Sequence, residues 1–249
     1  MHSQIIDAFD VNGRTTVRSG DGVFLRVPLS TTGATADVEL TGGLAGRVRA
    51  ELAERREARI RPRLGRESIG ILAPESWRQE LAEALSGRAA TVMESANNIP
   101  LSAGLVLHIP GSPQDRGTLD HLPAAGTAVL RCYREGELFF VDPLAMGPRD
   151  PTGTQVLRRR LAASPAASEL RAWLDASPAA AAGPAGIPAA AMTILTARLL
   201  TTIAAWQQDA PALSSLRRTL WRLDTATLAA SDHPVLAFPE PAPLPVPLP

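Results

Sequence analysis

Two short apolar runs meeting at a polar turn dominate the middle of the chain. Residues 129–133 and 138–141 read as strands, with Arg134, Glu135, Gly136 and Glu137 between them as a hairpin turn, and Pro143 and Gly147 break the second run. Upstream, residues 68–73 and 89–94 read as buried strands flanking a helix at 74–86. In that helix Trp77, Leu81 and Leu85 fall on one face, and Pro74 suits the first helical turn. A strand, helix, strand unit favours parallel pairing through a right-handed crossover. Residues 105–109 offer a third buried strand, and the hairpin offers the next two.

The first sixty residues have another rhythm. Residues 15–18 and 23–27 flank Ser19, Gly20, Asp21 and Gly22 as a hairpin, and residues 36–40 alternate again. A helix is expected over 44–59, with Leu44, Val48 and Leu52 on the buried stripe and Arg47, Glu51, Glu54 and Arg55 on the wet side. Glu51 with Arg55 and Glu57 with Arg61 have ion-pair spacing, worth only about 0.3–0.5 kcal/mol each. Residues 60–66, rich in arginine with Pro62, read as a linker, placing a boundary near residue 65 between a β-β-β-α unit at 1–65 and a larger α/β domain at 66–237.

In the last third, Arg158, Arg159 and Arg160 start or cross a helix and residues 169–175 form another around Trp173. Residues 177–186 are an alanine, proline and glycine loop. The long helix expected at 188–208 puts Ala191, Leu195, Leu199, Ile203 and Trp206 on one side, widened by Ile194 and Thr202. Residues 216–223 and 227–230 suggest a closing hairpin around Asp224 and Thr225, followed by a proline-rich tail at 238–249.

Composition narrows the classes. With 249 residues, 45% of them hydrophobic, and a formal net charge of +0, the chain can bury a core and has no field suited to nucleic acid. The 25 basic residues are all arginine, a bias that reads as coding from a GC-rich genome, so arginine counts assign no role. The single cysteine, Cys132, allows neither an internal disulfide nor a thiolate zinc cage and fits a reducing cytoplasm. No secretory signal is visible, and residues 187–206, diluted by alanine, threonine and Arg198, read as a buried helix and not a membrane span.

Candidate chemistry is sparse. The strand, turn and helix at 69–85 is the frame of a nucleotide fold, yet phosphate binding there needs glycines that let backbone amides approach the anion. The turn reads Leu72, Ala73, Pro74, Glu75, Ser76, Trp77: no glycine, a proline without an amide hydrogen, and a carboxylate facing the would-be phosphate. Cys132 lies inside a strand and reads as a small buried apolar group. Among His2, His108, His121 and His233 no pair has metal-ligand spacing, and His108, at the end of a strand, reads as a satisfied structural histidine. The arginines at 158–160 fan around a helix and read as a solvated face. No catalytic, metal-binding or cofactor-binding residue is expected.

The segments DGVFLRV and VELTGG, a glycine-poor Rossmann start, GTAVLRCYREGELFFVDPLAMGP and LWRLDTATLAASDHPVLAFPEP together resemble the ThiF-like proteins of ribosomal peptide natural-product clusters. These share the ubiquitin-activating-enzyme fold and partner YcaO cyclodehydratases in azole- and thiopeptide-type biosynthesis, often binding the precursor's leader peptide. The resemblance implies an α/β protein: a small, truncated winged-helix-like β-β-β-α unit, then a degenerate Rossmann-like, ThiF-type domain. Where relatives carry cysteine pairs, this chain has residues 149–154 and 238–241, without cysteine, so no structural zinc is expected. A leader would add a strand to the third N-terminal strand. That points to Ala36, Asp37, Val38, Glu39 and Leu40, with Arg47 and Arg55 on the adjoining helix, as the surface for a leader peptide or partner. The expected function is a non-catalytic, cytoplasmic accessory subunit without cofactor. It would assemble with a YcaO-type protein, a second ThiF-like protein or a second copy of itself, and with neither nucleic acid nor membrane. The alternatives are an ATP-dependent adenylating enzyme of the ThiF type and a pure heterodimer scaffold.

Overall fold

The structure, a computed structural model, describes residues 5–12, 14–19, 22, 24–26, 54, 60–99, 103–176, 184 and 186–238. The chain divides into two compact units, Met1–Arg61 and Pro62–Pro249.

In the first unit an antiparallel meander joins β1 (Ile5–Val11), β2 (Arg14–Ser19) and β3 (Phe24–Arg26) in that order. The hairpin expected from the sequence is present as β2 and β3. Its outer neighbour β1 was not anticipated, because Ile5, Ile6, Asp7 and Ala8 show no period of two. Asn12, at φ 56, makes the tight link between β1 and β2. The expected strand at 36–40 and all but Glu54 of the helix expected at 44–59 lie outside the described residues.

The second unit is an α/β domain around a mixed seven-stranded sheet. Its strands are β4 (Ser68–Leu72), β5 (Ala89–Met93), β6 (Leu105–His108), β7 (Ala128–Glu135), β8 (Leu138–Val141), β9 (Thr219–Asp224) and β10 (Ala230–Pro234), in the order β10-β9-β8-β7-β6-β4-β5. Pairing is parallel from β5 through β4 and β6 to β7 and antiparallel from β7 to β10. The Rossmann-like half therefore ends where the sequence hairpin begins. That hairpin is tighter than expected: β7 runs on through Glu135, which pairs with Leu138, and Gly136 with φ 60 opens the turn as a type II′ connection asks. The closing hairpin is also shifted. Leu213–Leu216 is a short helix, β9 starts at Thr219, and Asp224 Oδ1 accepts from the amides of Ala226 and Thr227 to shape the connection to β10.

One face of the sheet carries the apolar core. Helix α1 (Glu75–Ala84) brings Trp77 and Leu81, and the long helix α4 (Ala189–Gln208) brings Ala191, Leu195, Leu199, Ile203 and Trp206, against Ile69, Ile71, Leu105, Leu107, Leu130 and Phe139. Each such aliphatic side chain contributes about 1.5–3 kcal/mol of burial. Length and composition alone would let α4 cross a membrane, but its apolar stripe is spent on this core. The segment expected as a linker docks onto the carboxyl end of α4. There Arg63 and Arg66 both pair with Asp209 at 3.1 and 3.0 Å, and Arg66 donates to the Trp206 carbonyl, placing cations where the helix dipole favours them.

The other face is covered by α2 (Gly153–Ala163), α3 (Ala167–Ala176) and a 3-10 turn at Pro113–Gly117. Thr152 and Gln155 form a capping box at the start of α2, and Asp120 accepts from the amides of Gly153 and Thr154 at 2.9 and 3.1 Å. Gly153 is required by close approach: a Cβ there would lie 2.6 Å from the Arg116 carbonyl oxygen and 2.9 Å from Arg131 Nε. Alanine is the better helix former by about 1 kcal/mol, so propensity and packing oppose each other at this position. We expect Gly153→Ala to destabilise the fold by about 1–3 kcal/mol in urea unfolding, because the clash involves backbone. A stabilised variant would contradict the packing described.

Candidate functional site

Strand β7 sorts its residues by face. Ala128, Leu130 and Cys132 enter the apolar core, while Val129, Arg131, Tyr133 and Glu135 point to the opposite face, and all of them are buried. A charged face can be buried only if its charges are met. Arg116, from the 3-10 turn, donates to Glu135 Oε1 at 2.6 Å, and Arg160, from α2, donates to both Glu135 oxygens at 2.8 and 2.5 Å. The Arg116 guanidinium lies 3.8 Å from the Tyr133 ring centroid and that of Arg160 lies 4.1 Å from Phe140. Tyr133 donates its hydroxyl to Asp142 Oδ1 at 3.0 Å, and Arg131 donates to Asp120 Oδ1 at 2.6 Å.

Burial and pairing pull these groups in different directions. Burial alone would raise the Glu135 carboxyl, but the hydrogen bonds and charges of Arg160 and Arg116 outweigh it and hold it below the ordinary range. Asp142 has one hydrogen bond, from Tyr133, and burial pushes it up to about 6 against the pull of Arg131 and Arg116. His108, at the carboxyl end of β6, is driven down to about 4 by burial and then by Arg131. Burial also raises the Cys132 thiol, which is therefore no nucleophile near neutral pH. Nε of both Arg116 and Arg131, Asp142 Oδ2 and His108 Nδ1 have no hydrogen-bond partner among the described residues.

The network lies beside the crevice where an open α/β sheet would take a ligand. Strand order reverses between β4 and β6, and there the Ile109 amide donates to the Leu72 carbonyl at 2.8 Å. The space lined by Trp77, Ile109, Pro110, Pro113 and Phe139 amounts to about 10 Å³, room for about one water. In the turn after β4, Arg78 donates to the Ala73 carbonyl and pairs with Glu75 at 2.6 Å, so its charge is turned onto the chain itself. This donor set does not fit a nucleotide phosphate.

Several expectations change. Ala36, Asp37, Val38, Glu39, Leu40, Arg47 and Arg55 lie outside the described residues, so the expected peptide surface has no geometry to report. Of the three arginines at 158–160, Arg158 and Arg159 are exposed as expected, but Arg160 is inside the charged network. His108 is buried but unsatisfied at Nδ1, not satisfied as expected. Arg116, Asp120, Arg131, Glu135 and Asp142 were missed altogether. The alternation of Arg131, Tyr133 and Glu135 was the available signal, but it reads equally well as a wetted strand face. Of the two stretches that the resemblance aligns with cysteine pairs, the second is described only at Phe238, which is met by α2 residues just beyond the first. Gln155 donates to the Phe238 carbonyl at 2.7 Å, and Arg159 lies 4.8 Å from the Phe238 ring centroid. Among the described residues no group of three or more histidine, cysteine or acidic side chains could hold a metal ion.

No family model and no curated protein matches the sequence. Solved structures of similar fold exist. A chain of the E. coli microcin synthetase McbBCD complex aligns over 95% of this chain and 97% of its own length, at 11% identity and a TM-score of 0.50. In the same complex with pro-MccB17 bound the figures are 93%, 95%, 11% and 0.52. A heterocyclase in complex with substrate and cofactor aligns over 94% of this chain at 13% identity and a TM-score of 0.55, but this chain spans only 38% of that protein.

Two measurements probe the network. Glu135→Gln leaves Arg116 and Arg160 without a counter-charge and should cost about 3–5 kcal/mol in urea unfolding, whereas exposed Glu137→Gln should change stability by less than about 0.5 kcal/mol. Similar losses at both positions would dissolve the network. Asp142→Asn reports on the raised carboxyl. Its folded value of about 6 exceeds the ordinary value of about 3.9, so its contribution is full below about pH 4 and lost as pH rises through 6. The lowered His108 acts oppositely, contributing above about pH 6.5 and failing as pH falls through 4, and it cancels in a difference between variants. The stability of Asp142→Asn relative to the natural chain should rise by on the order of 2–3 kcal/mol between pH 4 and pH 8. A difference that stays flat with pH would place Asp142 in a solvated setting.

Proposed function

We propose that this chain is a non-catalytic accessory subunit of a ribosomal-peptide-modifying complex, one that binds a precursor leader peptide or scaffolds a YcaO-type cyclodehydratase. The observation that carries the reading is the end-to-end likeness to a chain of microcin synthetase, which covers 97% of that chain and matches this one in extent as well as fold. The ThiF-like resemblance of the sequence segments points to the same setting. The non-catalytic part draws support from the small space at the carboxyl ends of β6 and β7, lined by Trp77, Pro110 and Pro113 and with room for about one water, and from the turn carrying Pro74 and Glu75. Adenylation of a carboxylate requires ATP and basic groups aimed at its phosphates; the basic groups of the buried network are committed to Glu135 and Asp120.

Leader binding in this reading falls to the N-terminal unit, with a peptide strand added at Ala36, Asp37, Val38, Glu39 and Leu40 and held by Arg47 and Arg55. Fluorescence anisotropy with the precursor peptide encoded beside the gene tests it. We expect saturable binding, alone or with the YcaO-type protein present, weakened severalfold by Arg47→Gln with Arg55→Gln and by added salt. No binding under either condition sinks the leader-binding form. ATP–pyrophosphate exchange by the purified chain would overturn the non-catalytic form.

A further inference from the structure

A second cleft of about 500 Å³ opens on the larger unit where the loop between β8 and α2 meets the segment before β9 and the segment after β10. Its walls are Arg149, Arg217 and Arg218, with Ser214, Pro151 and Leu236 between them. The one acid in the lining, Asp150, is already used. It is buried, accepts from the amides of Met146 and Gly147 at 2.7 and 3.0 Å, and takes Arg217 through Nε at 2.9 and 3.0 Å and through Nη2 at 2.8 Å. Asp150 thus fixes Arg217 in the wall and has little capacity left for Arg149 or Arg218. Both of these are exposed, and neither has a carboxylate partner among the described residues. The backbone around them is tied down: the Val235 amide donates to the Arg218 carbonyl at 2.7 Å, and beside Arg149 the Asp150 amide donates to the Gly147 carbonyl at 3.1 Å.

The volume is that of a site for a small organic ligand or a few peptide residues, far more than a lone inorganic anion fills. Two unpaired guanidiniums on a braced wall suit carboxylates, which they can grip bidentately. Leu236, 58% exposed, and Pro151 offer an apolar strip alongside. We propose that this cleft is a docking site for an acidic peptide segment in which carboxylates alternate with apolar side chains. It uses none of the residues of the leader surface proposed at Arg47 and Arg55, and it stands or falls independently of that surface.

The probe is a fluorescein-labelled hexapeptide of alternating leucine and glutamate, titrated against the full chain at low salt, with its leucine–glutamine counterpart as control. We expect the acidic peptide to bind and the neutral one not to, with affinity falling as salt rises. Arg149→Gln and Arg218→Gln should each weaken binding about tenfold, the loss of one charge-assisted contact, and Arg149→Lys should recover part of it. Arg222→Gln, an exposed arginine outside the cleft, and Arg47→Gln with Arg55→Gln should leave binding unchanged. The cleft variants alter exposed side chains, and an unchanged melting temperature would show that they fold. Equal binding of the neutral peptide, no effect of either cleft variant, or binding of inorganic phosphate without binding of the peptide overturns the proposal.

Discussion

Glu135 is the side chain on which the second unit depends. It is 9% exposed, comes from the central strand β7, and is gripped by Arg116 from one covering element and Arg160 from another. Removing a carboxylate and two guanidiniums from water is costly, and the attraction recovers that cost only where geometry is good and the remaining polar atoms are met. Here three elements distant in sequence must converge for the charges to match. The network is therefore better at specifying how the 3-10 turn and α2 sit on the sheet than at adding net stability.

The same constraint shapes the neighbouring chemistry. Arg131, on the same strand face, is drawn to Asp120, and Asp120 in turn holds the amides at the start of α2. In many α/β folds a helix N-terminus beside the sheet is a place for an anion; in this chain the anion is supplied by Asp120. The charges on this face of the sheet are taken up by the fold itself. Arg149 and Arg218 stand exposed and without a carboxylate partner among the described residues, on the rim where Asp150 clamps Arg217.

The same rim ties distant parts of the second unit together. Gln155 reaches the Phe238 carbonyl, Arg159 stacks on its ring, and Asp150 gathers two amides and a guanidinium. These contacts join α2 to the segment after β10 and the loop after β8 to the segment before β9, closures of long sequence separation that disfavour fraying at the end of the sheet.

Periodicity by itself determined the elements with strong local signals. The stripes of Trp77, Leu81 and Leu85 and of Ala191, Leu195, Leu199, Ile203 and Trp206, and the apolar runs of β4 and β6, hold in the structure because each must bury one face wherever the helix or strand goes. The missing glycines after β4 were equally legible, since backbone approach to a phosphate is a local requirement. The fate of β7's polar face was not. Alternating Arg131, Tyr133 and Glu135 describe a strand with a wet side and a strand with a matched buried side equally well, and only the arrival of Arg116 and Arg160 from elsewhere distinguishes them. The arginines at 158–160 show the same limit: one sequence motif yields two exposed cations and one drawn into the charged network, because which side of α2 meets the sheet is set by packing and not by the motif.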